Sequence, residues 1–473
     1  MKNIILDADS YKFSHWMLLP EGQQYSTSYI APRGGFSEYV VPFGIQMWIK
    51  KTLLTPITME MIDEAEEIIS PHMGNGIFNR EMWEHIVKVH NGYLPVEIKA
   101  IPEGMVVPNK TVLVTITNTD PVCVSLPSFL ETSFLRDVWY PTTVATVSHR
   151  CVSAIKDALI AAGESTDLLK FMLHDFGFRG VSSHESAGMG GLAHLINSCG
   201  TDTVAALVAA KRYYNCTQMP AFSVIASEHS VACSLSNANK RDDYKHAEKM
   251  VSVLENRVKE TGTFQIVSAV ADTYNTLRFA TYIARDLNER IKNSGGKFVV
   301  RPDSGDPVTT PIEVVKTMME HAGYTTNERG YKLLPPHLGV LQGDGINEES
   351  IKQILKLAME EKLSPLNFVF GMGGALLQHC DRDWSKFAMK CSAIKFADED
   401  HWVDVFKDPI TDKGKRSFRG KLDTFLMEDG SIQSSKESAT EGVSRSLMNT
   451  VYKNGLLLVD VSFDEVRGNA GLL

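Results

Sequence analysis

Cysteine is scarce in this 473-residue chain, and its placement follows no pattern. The seven residues, at 123, 151, 199, 216, 233, 380 and 391, include no CxxC and no Cys/His metal spacing. An odd, scattered set excludes a disulfide framework and reads as reduced thiols in a reducing compartment. Long apolar runs are missing too, for none approaches the roughly 20 residues a membrane helix needs. The opening MKNIILDADSYK is apolar only over Ile4–Leu6 before acids appear, unlike a signal peptide. Gly/Ser-rich linkers, low-complexity tracts and sequence repeats are absent. So are GxxxxGK[ST], GxGxxG with a trailing acid, the GxSxG elbow and HExxH. Their absence sets aside a P-loop, a dinucleotide fold, an elbow-type serine hydrolase and a zincin. Basic residues are outnumbered, 48 Lys and Arg against 57 Asp and Glu, for a net charge of -9. That balance argues against nonspecific nucleic-acid binding and leaves room for a local basic pocket. The expectation is a soluble cytoplasmic protein with no nucleic-acid or membrane partner.

What is present is ordinary globular material, 43% hydrophobic and 22% charged. The length suits two joined domains. Asp9-Ser10-Tyr11-Lys12 fits a helix N-cap, and Gln24 to Ala31 alternates like a strand. Residues 42–70 have helical spacing, 92–118 read as two or three short strands, and 126–160 return to helix. From about residue 170 one pattern recurs: a short apolar run, a polar or glycine-rich loop, then a helix. The runs are 170–173, 221–226, 264–270, 297–300, 337–342 and 367–370. Their loops are HDFGFRG, SEHS, ADTYN, RPDSGDP, QGDGIN and GMGG, and Glu348 to Lys362 is the clearest helix. Ala187 to Ile196 also reads as helix, and Gly200-Thr201-Asp202-Thr203 as the opening of another. Strand–loop–helix recurrence indicates a parallel α/β arrangement. A β/α barrel is preferred over an open doubly wound sheet, because so many consecutive units carry charged or glycine loops. After about 385, 392–406 and 449–463 read as strands, the latter with a turn at Lys453-Asn454-Gly455. The expected fold is α/β: an irregular β/α barrel over 126–384 and a β-rich α+β domain from 26–125 with 385–473. Residues 1–25 are expected to form an arm serving the barrel and a dimer site.

The loops carry the chemistry. Gly371, Gly373 and Gly374 lie between a strand and a helix, where backbone N–H groups can approach a phosphate. Gly343-Asp344-Gly345 has the same setting with a carboxylate added. Arg179, Arg301, Arg382, Lys390, Lys407, Lys415 and Arg416 supply cations suited to phosphate. Arg301-Pro302-Asp303 pairs a cation with an acid able to meet a sugar hydroxyl or hydrated Mg²⁺. Together these loops suggest a phosphorylated sugar with more than one phosphate.

These stretches also carry a resemblance. DSYK (9–12), FGIQ (43–46), HDFGFRGVSS (174–183), GTDTVA (200–205), SVIASEHS (223–230), DTYN (272–275), RPDSGDP (301–307), YKLLPP (331–336), QGDG (342–345), GMGGALLQ (371–378), RD (382–383), KC (390–391), VFKDP (405–409) and KRS (415–417) stand in the order found in one family. The chain resembles the nicotinamide phosphoribosyltransferases, of the type II phosphoribosyltransferase family, over nearly its whole length. The resemblance implies transfer of phosphoribose from 5-phosphoribosyl 1-pyrophosphate to nicotinamide, giving nicotinamide mononucleotide and pyrophosphate in NAD salvage. It implies that Arg179, His229 and Arg301 hold the pyrophosphate, that Asp303, Gly343 and Asp344 orient the ribose, and that Gly373 and Gly374 cradle the 5′-phosphate. Arg382, Lys390, Lys407 and Lys415 are similar to phosphate contacts.

The same resemblance stacks the base between Phe176 and a Tyr11 supplied by the second subunit of a homodimer. Asp202 becomes the specificity residue: it accepts a hydrogen bond from a carboxamide and repels a carboxylate. His229 matches the histidine that ATP phosphorylates. Mg²⁺ is held mainly by substrate phosphates, with no direct protein ligand. Departures from the family pattern stand at Asn275, Ala271, Ala388, Phe222 and Ile225. Two other readings compete. A nicotinate-specific enzyme would place a cation or neutral polar group where Asp202 stands, and a non-catalytic binding protein would have no need of the full phosphate set.

Overall fold

Each of the six apolar runs from residue 170 onward overlaps a strand in the computed structural model, which describes residues 3–411 and 416–472. A seventh strand, Gly200–Thr201, was expected to open a helix; the helix instead begins at Val204. The strands run parallel in the order Gly200–Thr201, Leu173–Asp175, Phe368–Met372, Leu338–Gln342, Lys297–Arg301, Ile266–Val270, Ile225–Ala226. An open doubly wound sheet would leave both end strands as edges. Here a parallel bridge between Gly200 and Phe222 joins the first strand to the segment entering the last, and the Thr201 N–H donates to the Phe222 carbonyl at 3.1 Å. The result is an irregular β/α barrel. Val267, Ala269, Phe298, Val300, Val340, Phe368 and Phe370 are buried, as parallel strands covered on both faces require. The Glu348–Glu360 helix starts in a capping box between Asn347 and Ser350.

By contact the chain divides into two units. The parallel sheet belongs to Val147–Val208 with Gln218–His379; the other unit comprises the described parts of Met1–Thr146, Ala209–Thr217 and Cys380–Gly471. In that second unit, strands from both ends of the chain share one antiparallel sheet. Its order is Val403–Asp404, Ala388–Phe396, Gln23–Ala31, Val114–Asn118, Val96–Ala100, Asn449–Lys453, Leu456–Leu457. Asn454 (φ 49°) and Gly455 (φ 91°) make the expected hairpin turn, whose left-handed backbone suits these two residue types. Trp48 stacks on Phe134 in the core, with centroids 3.9 Å apart and planes 11° apart.

Two expectations for this unit need correction. The helical stretch 42–70 is broken: Ile45–Trp48 runs into a wide turn at Ile49–Leu53, and Met59–Met73 restarts after Pro56 with Thr58 capping it. The strand read to 463 ends at Leu457, and Phe463–Ala470 is a helix whose Ser462/Glu465 capping box was legible but unread. A further sheet, Ile432–Lys436, Leu422–Met427 and Val443–Ser446, went unforeseen. Among the described residues, no helix is long and apolar enough to cross a membrane.

Glu103 sets a pH dependence in this unit. Its carboxylate accepts from the Ile45 N–H (2.7 Å) and the Tyr214 hydroxyl (2.9 Å). Burial nevertheless raises it to about 7. A raised carboxylate pKa means the native state holds the proton more tightly than the unfolded chain. That contribution is complete below the ordinary value near 4.5 and is lost as pH rises through about 7. Urea midpoints at pH 5 and pH 8 will therefore fall with pH in the wild type. In Glu103→Gln the same difference will shrink by about 2–3 kcal/mol, at about 1.4 kcal/mol per pH unit.

Candidate functional site

The barrel's chemistry gathers at the C-terminal ends of its strands, the end at which such sheets build sites. Phe176 and Arg179 follow Leu173–Asp175, Asp202 follows Gly200–Thr201, and His229 follows Ile225–Ala226. Arg301 closes its own strand with Asp303 just beyond, while Gly343 and Asp344, then Gly373 and Gly374, follow the next two.

His229 is the first residue of a short helix, His229–Leu235. Its Nε2 lies 2.7 Å from Asp272 Oδ1, and its Nδ1 faces Asp303 Oδ2 at 3.8 Å. With the proton on Nε2, Asp272 accepts it and fixes the tautomer, leaving the Nδ1 lone pair available. The imidazole is 45% exposed, so this nitrogen is reachable from solvent. Behind it, the buried His246 is lowered to about 4 by burial and by the neighbouring His229, and it meets Ser227 Oγ at 3.0 Å. Arg301 donates from Nη2 to the Ser227 carbonyl at 3.2 Å. Its Nε is buried without a hydrogen-bond partner, and Asp303 Oδ1 stands 3.9 Å away. An unspent guanidinium donor is an anion site in waiting.

Asp175 braces the base side. Its Oδ1 accepts from the Gly177 N–H at 2.7 Å, and its carbonyl accepts from the Asp202 N–H at 2.9 Å. One buried residue thus ties the Phe176 loop to the Asp202 loop, and burial raises its carboxyl to about 6. The Phe176 N–H donates to the Met372 carbonyl at 3.0 Å. The Phe176 ring lies over Gly371, where a Cβ would fall 2.1 Å from Cε2, so only glycine admits the ring there. Asp202 is exposed and accepts from the Ser223 hydroxyl. Arg179 is also exposed; its turn, Phe178–Gly180, approaches Gly374.

The structure thus brings Phe176, Arg179, Asp202, His229, Arg301, Asp303, Gly343, Asp344, Gly373 and Gly374 to one end of one sheet. Tyr11, Arg382, Lys390 and Lys407 belong to the other unit. Tyr11 is 54% exposed, and Arg382 leans on Asp383 at 3.1 Å. Burial lowers Lys390, as do the nearby charges of Arg33, Lys12 and Lys407, while Glu131 opposes them. Lys415 lies outside the described residues. Sequence reasoning gave no role to Asp175, Asp272, Ser223, Lys12 or Arg33. All but Arg33 stood inside quoted motifs, but only folding shows which side chains they meet. Asn275, a departure from the family pattern, caps the following helix by accepting from the Arg278 N–H at 2.8 Å.

Comparison with known proteins gives the family. The profile of the nicotinate phosphoribosyltransferase (NAPRTase) family matches residues 171–456, and that of the nicotinamide phosphoribosyltransferase N-terminal domain matches 3–98. A nicotinamide phosphoribosyltransferase of Xanthomonas campestris pv. campestris is 41% identical over 99% of this chain and 98% of its own. One from Acinetobacter baylyi is 29% identical over 97% and 95%. Two solved structures share the fold. Nicotinate-nucleotide pyrophosphorylase from Pyrococcus furiosus has a TM-score of 0.61 at 16% identity, covering 99% of this chain and 95% of its own. Human nicotinic acid phosphoribosyltransferase has a TM-score of 0.54 at 15% identity, covering 98% and 93%. With a 41% identical relative matched end to end and both profiles satisfied, the chain belongs to the nicotinamide phosphoribosyltransferase family.

Proposed function

We propose that the barrel site moves phosphoribose from 5-phosphoribosyl 1-pyrophosphate to nicotinamide, forming nicotinamide mononucleotide and releasing pyrophosphate. The observation that carries this reading is Arg301, a half-buried guanidinium whose Nε makes no hydrogen bond and faces Asp303 at 3.9 Å, on the sheet end that also presents His229, Phe176 and Asp202. The pyridine nitrogen brings its own lone pair, so no strong base is required. The C1–O bond to pyrophosphate breaks, the C1–N bond forms, and the barrier is lowered by positioning and charge. Arg179, His229 and Arg301 hold the leaving pyrophosphate. Asp303, Gly343 and Asp344 orient the ribose, and the Gly373–Gly374 backbone receives the 5′-phosphate. Arg382, Lys390, Lys407 and Lys415 serve as further phosphate contacts.

Mg²⁺ suits this site, because the Asp272 and Asp303 carboxylates are hard oxygen donors beside the phosphate cations. When bound, mainly through the substrate phosphates, it neutralises charge on the leaving group. Tyr11, from a second copy of the chain in a homodimer, closes the base against Phe176.

ATP enters through His229. Attack of Nδ1 on the γ-phosphorus breaks the γ-phosphoryl bond to ADP and yields a phosphohistidine, with Asp272 steadying the Nε2–H. His229→Ala will lose ATP-stimulated turnover and the acid-labile label from γ-labelled ATP; stimulation that persists in the variant contradicts the assignment. The reading as a whole is tested by product formation from phosphoribosyl pyrophosphate and Mg²⁺, with nicotinamide and nicotinic acid run side by side. Mononucleotide from nicotinamide alone is expected. Turnover of nicotinic acid would overturn the specificity, and no product from either would overturn the activity.

A further inference from the structure

In the antiparallel unit, two imidazoles converge on one carboxylate oxygen. His85 Nε2 lies 2.8 Å from Asp120 Oδ2, and His90 Nε2 lies 2.7 Å from the same atom. All three donor atoms fall within 4.8 Å of one another. We propose that His85, His90 and Asp120 form a site for a divalent transition metal, with Zn²⁺ as the best match.

The donor types come first. Two imidazole nitrogens and one carboxylate oxygen suit Zn²⁺ and its neighbours in the first transition row, and they suit Mg²⁺ or Ca²⁺ poorly. Preorganisation follows. His85 and His90 stand on the helix Arg80–His90, and their rings meet edge to face with centroids 5.6 Å apart. Asp120 is fixed from behind: its Oδ1 accepts from the Val122 N–H at 2.8 Å, and its carbonyl accepts from Asn118 Nδ2 at 2.8 Å. The carboxylate is therefore aimed by the backbone, leaving Oδ2 for the histidines. This is the kind of outer support that metal ligands need.

The side chains are 27%, 22% and 16% exposed, so a cation can enter and water can complete its shell. With metal–ligand bonds of about 2.0–2.1 Å, tetrahedral N···O separations are about 3.3 Å. The two histidine–carboxylate separations need to open by only about half an ångström, within reach of side-chain rotation. To bind the metal each ring presents its Nε2 lone pair, so the proton now shared with Oδ2 gives way to the tautomer protonated at Nδ1. The ion would pin the helix Arg80–His90 to the turn that follows strand Val114–Asn118.

The test uses the full-length protein, stripped with a chelator and titrated with Zn²⁺ against a chromophoric competitor. The active-site group His229/Asp272/Asp303 is a second candidate for metal, so Asp272→Asn is run in parallel to remove it. The expected result is an equivalent of Zn²⁺ that survives in Asp272→Asn and is weakened at least about tenfold in His90→Gln and in His85→Gln. Zn²⁺ should also raise the Tm of the wild type but not that of His85→Gln/His90→Gln, with circular dichroism showing that the double variant is folded. Co²⁺ in place of Zn²⁺ should show tetrahedral d–d absorption that the double variant lacks. No Zn²⁺ bound outside the Asp272 site, or binding unchanged in the double variant, would reduce the three residues to a hydrogen-bonded triad and overturn the proposal.

Discussion

Replacing Arg301 with alanine will lower kcat/KM for phosphoribosyl pyrophosphate by about 10²–10³-fold, the usual loss when one preorganised donor to developing charge is removed. Arg301 is anchored through Nη2 to the Ser227 carbonyl, while its Nε is buried and unspent. Exposed arginines are screened and mobile; this one is only 16% exposed and already oriented, so little reorganisation precedes its use. Arg301→Lys keeps the charge but loses the planar fork, and it is expected to recover only part of the activity. The measurement is initial rate against phosphoribosyl pyrophosphate at saturating nicotinamide, with Tm checked for each variant. If kcat/KM in Arg301→Ala stays within a few-fold of the wild type, the pyrophosphate is bound elsewhere.

The second large effect concerns the choice of base. Asp202→Asn will admit nicotinic acid, and the nicotinamide-to-nicotinate ratio of kcat/KM is expected to fall by about 5–30-fold. Two like charges about 4 Å apart cost about 4 kcal/mol near a protein surface. Asp202 is exposed, so solvent reduces this to about 1–2 kcal/mol, which corresponds to that ratio. Asparagine keeps an oxygen for the carboxamide and for the Ser223 hydroxyl that now donates to Asp202. Nicotinamide turnover should therefore drop less than nicotinate turnover rises. A ratio unchanged in Asp202→Asn would move specificity to another residue.

Six strands of the barrel sheet were legible because each joins a short apolar run to a polar or glycine loop, and the fold puts both to use. Gly200–Thr201 was not legible, since two residues carry no period and their pairing is set by backbone partners in distant segments. The same contrast holds in the site. Chemical type and motif order pointed to His229, Arg301, Asp303 and Asp202, but their partners did not announce themselves. Asp272 reaches His229 from the next strand, and Asp175 acts through its backbone as much as its carboxylate. Lys390 read as one of several phosphate cations, but the company of Lys12 and Arg33 beside it shows only in the fold. In the terminal region the Ser462/Glu465 signature lost to an apolar run, Leu456 to Val459, that looks like strand on composition alone.

The antiparallel sheet has a consequence for biosynthesis. Gln23–Ala31 pairs on one side with Val114–Asn118 and on the other with Ala388–Phe396. On the ribosome, the segments of the barrel unit up to His379 are all made before that last partner exists. Until it emerges, Gln23–Ala31 offers a nine-residue open edge to solvent and to neighbouring nascent chains. Closing so long a loop is slow, and unpaired edges are where large proteins go astray. One of the first strands to be synthesised is thus among the last to be fully paired, and a chain cut short before residue 388 carries that open edge for its whole lifetime.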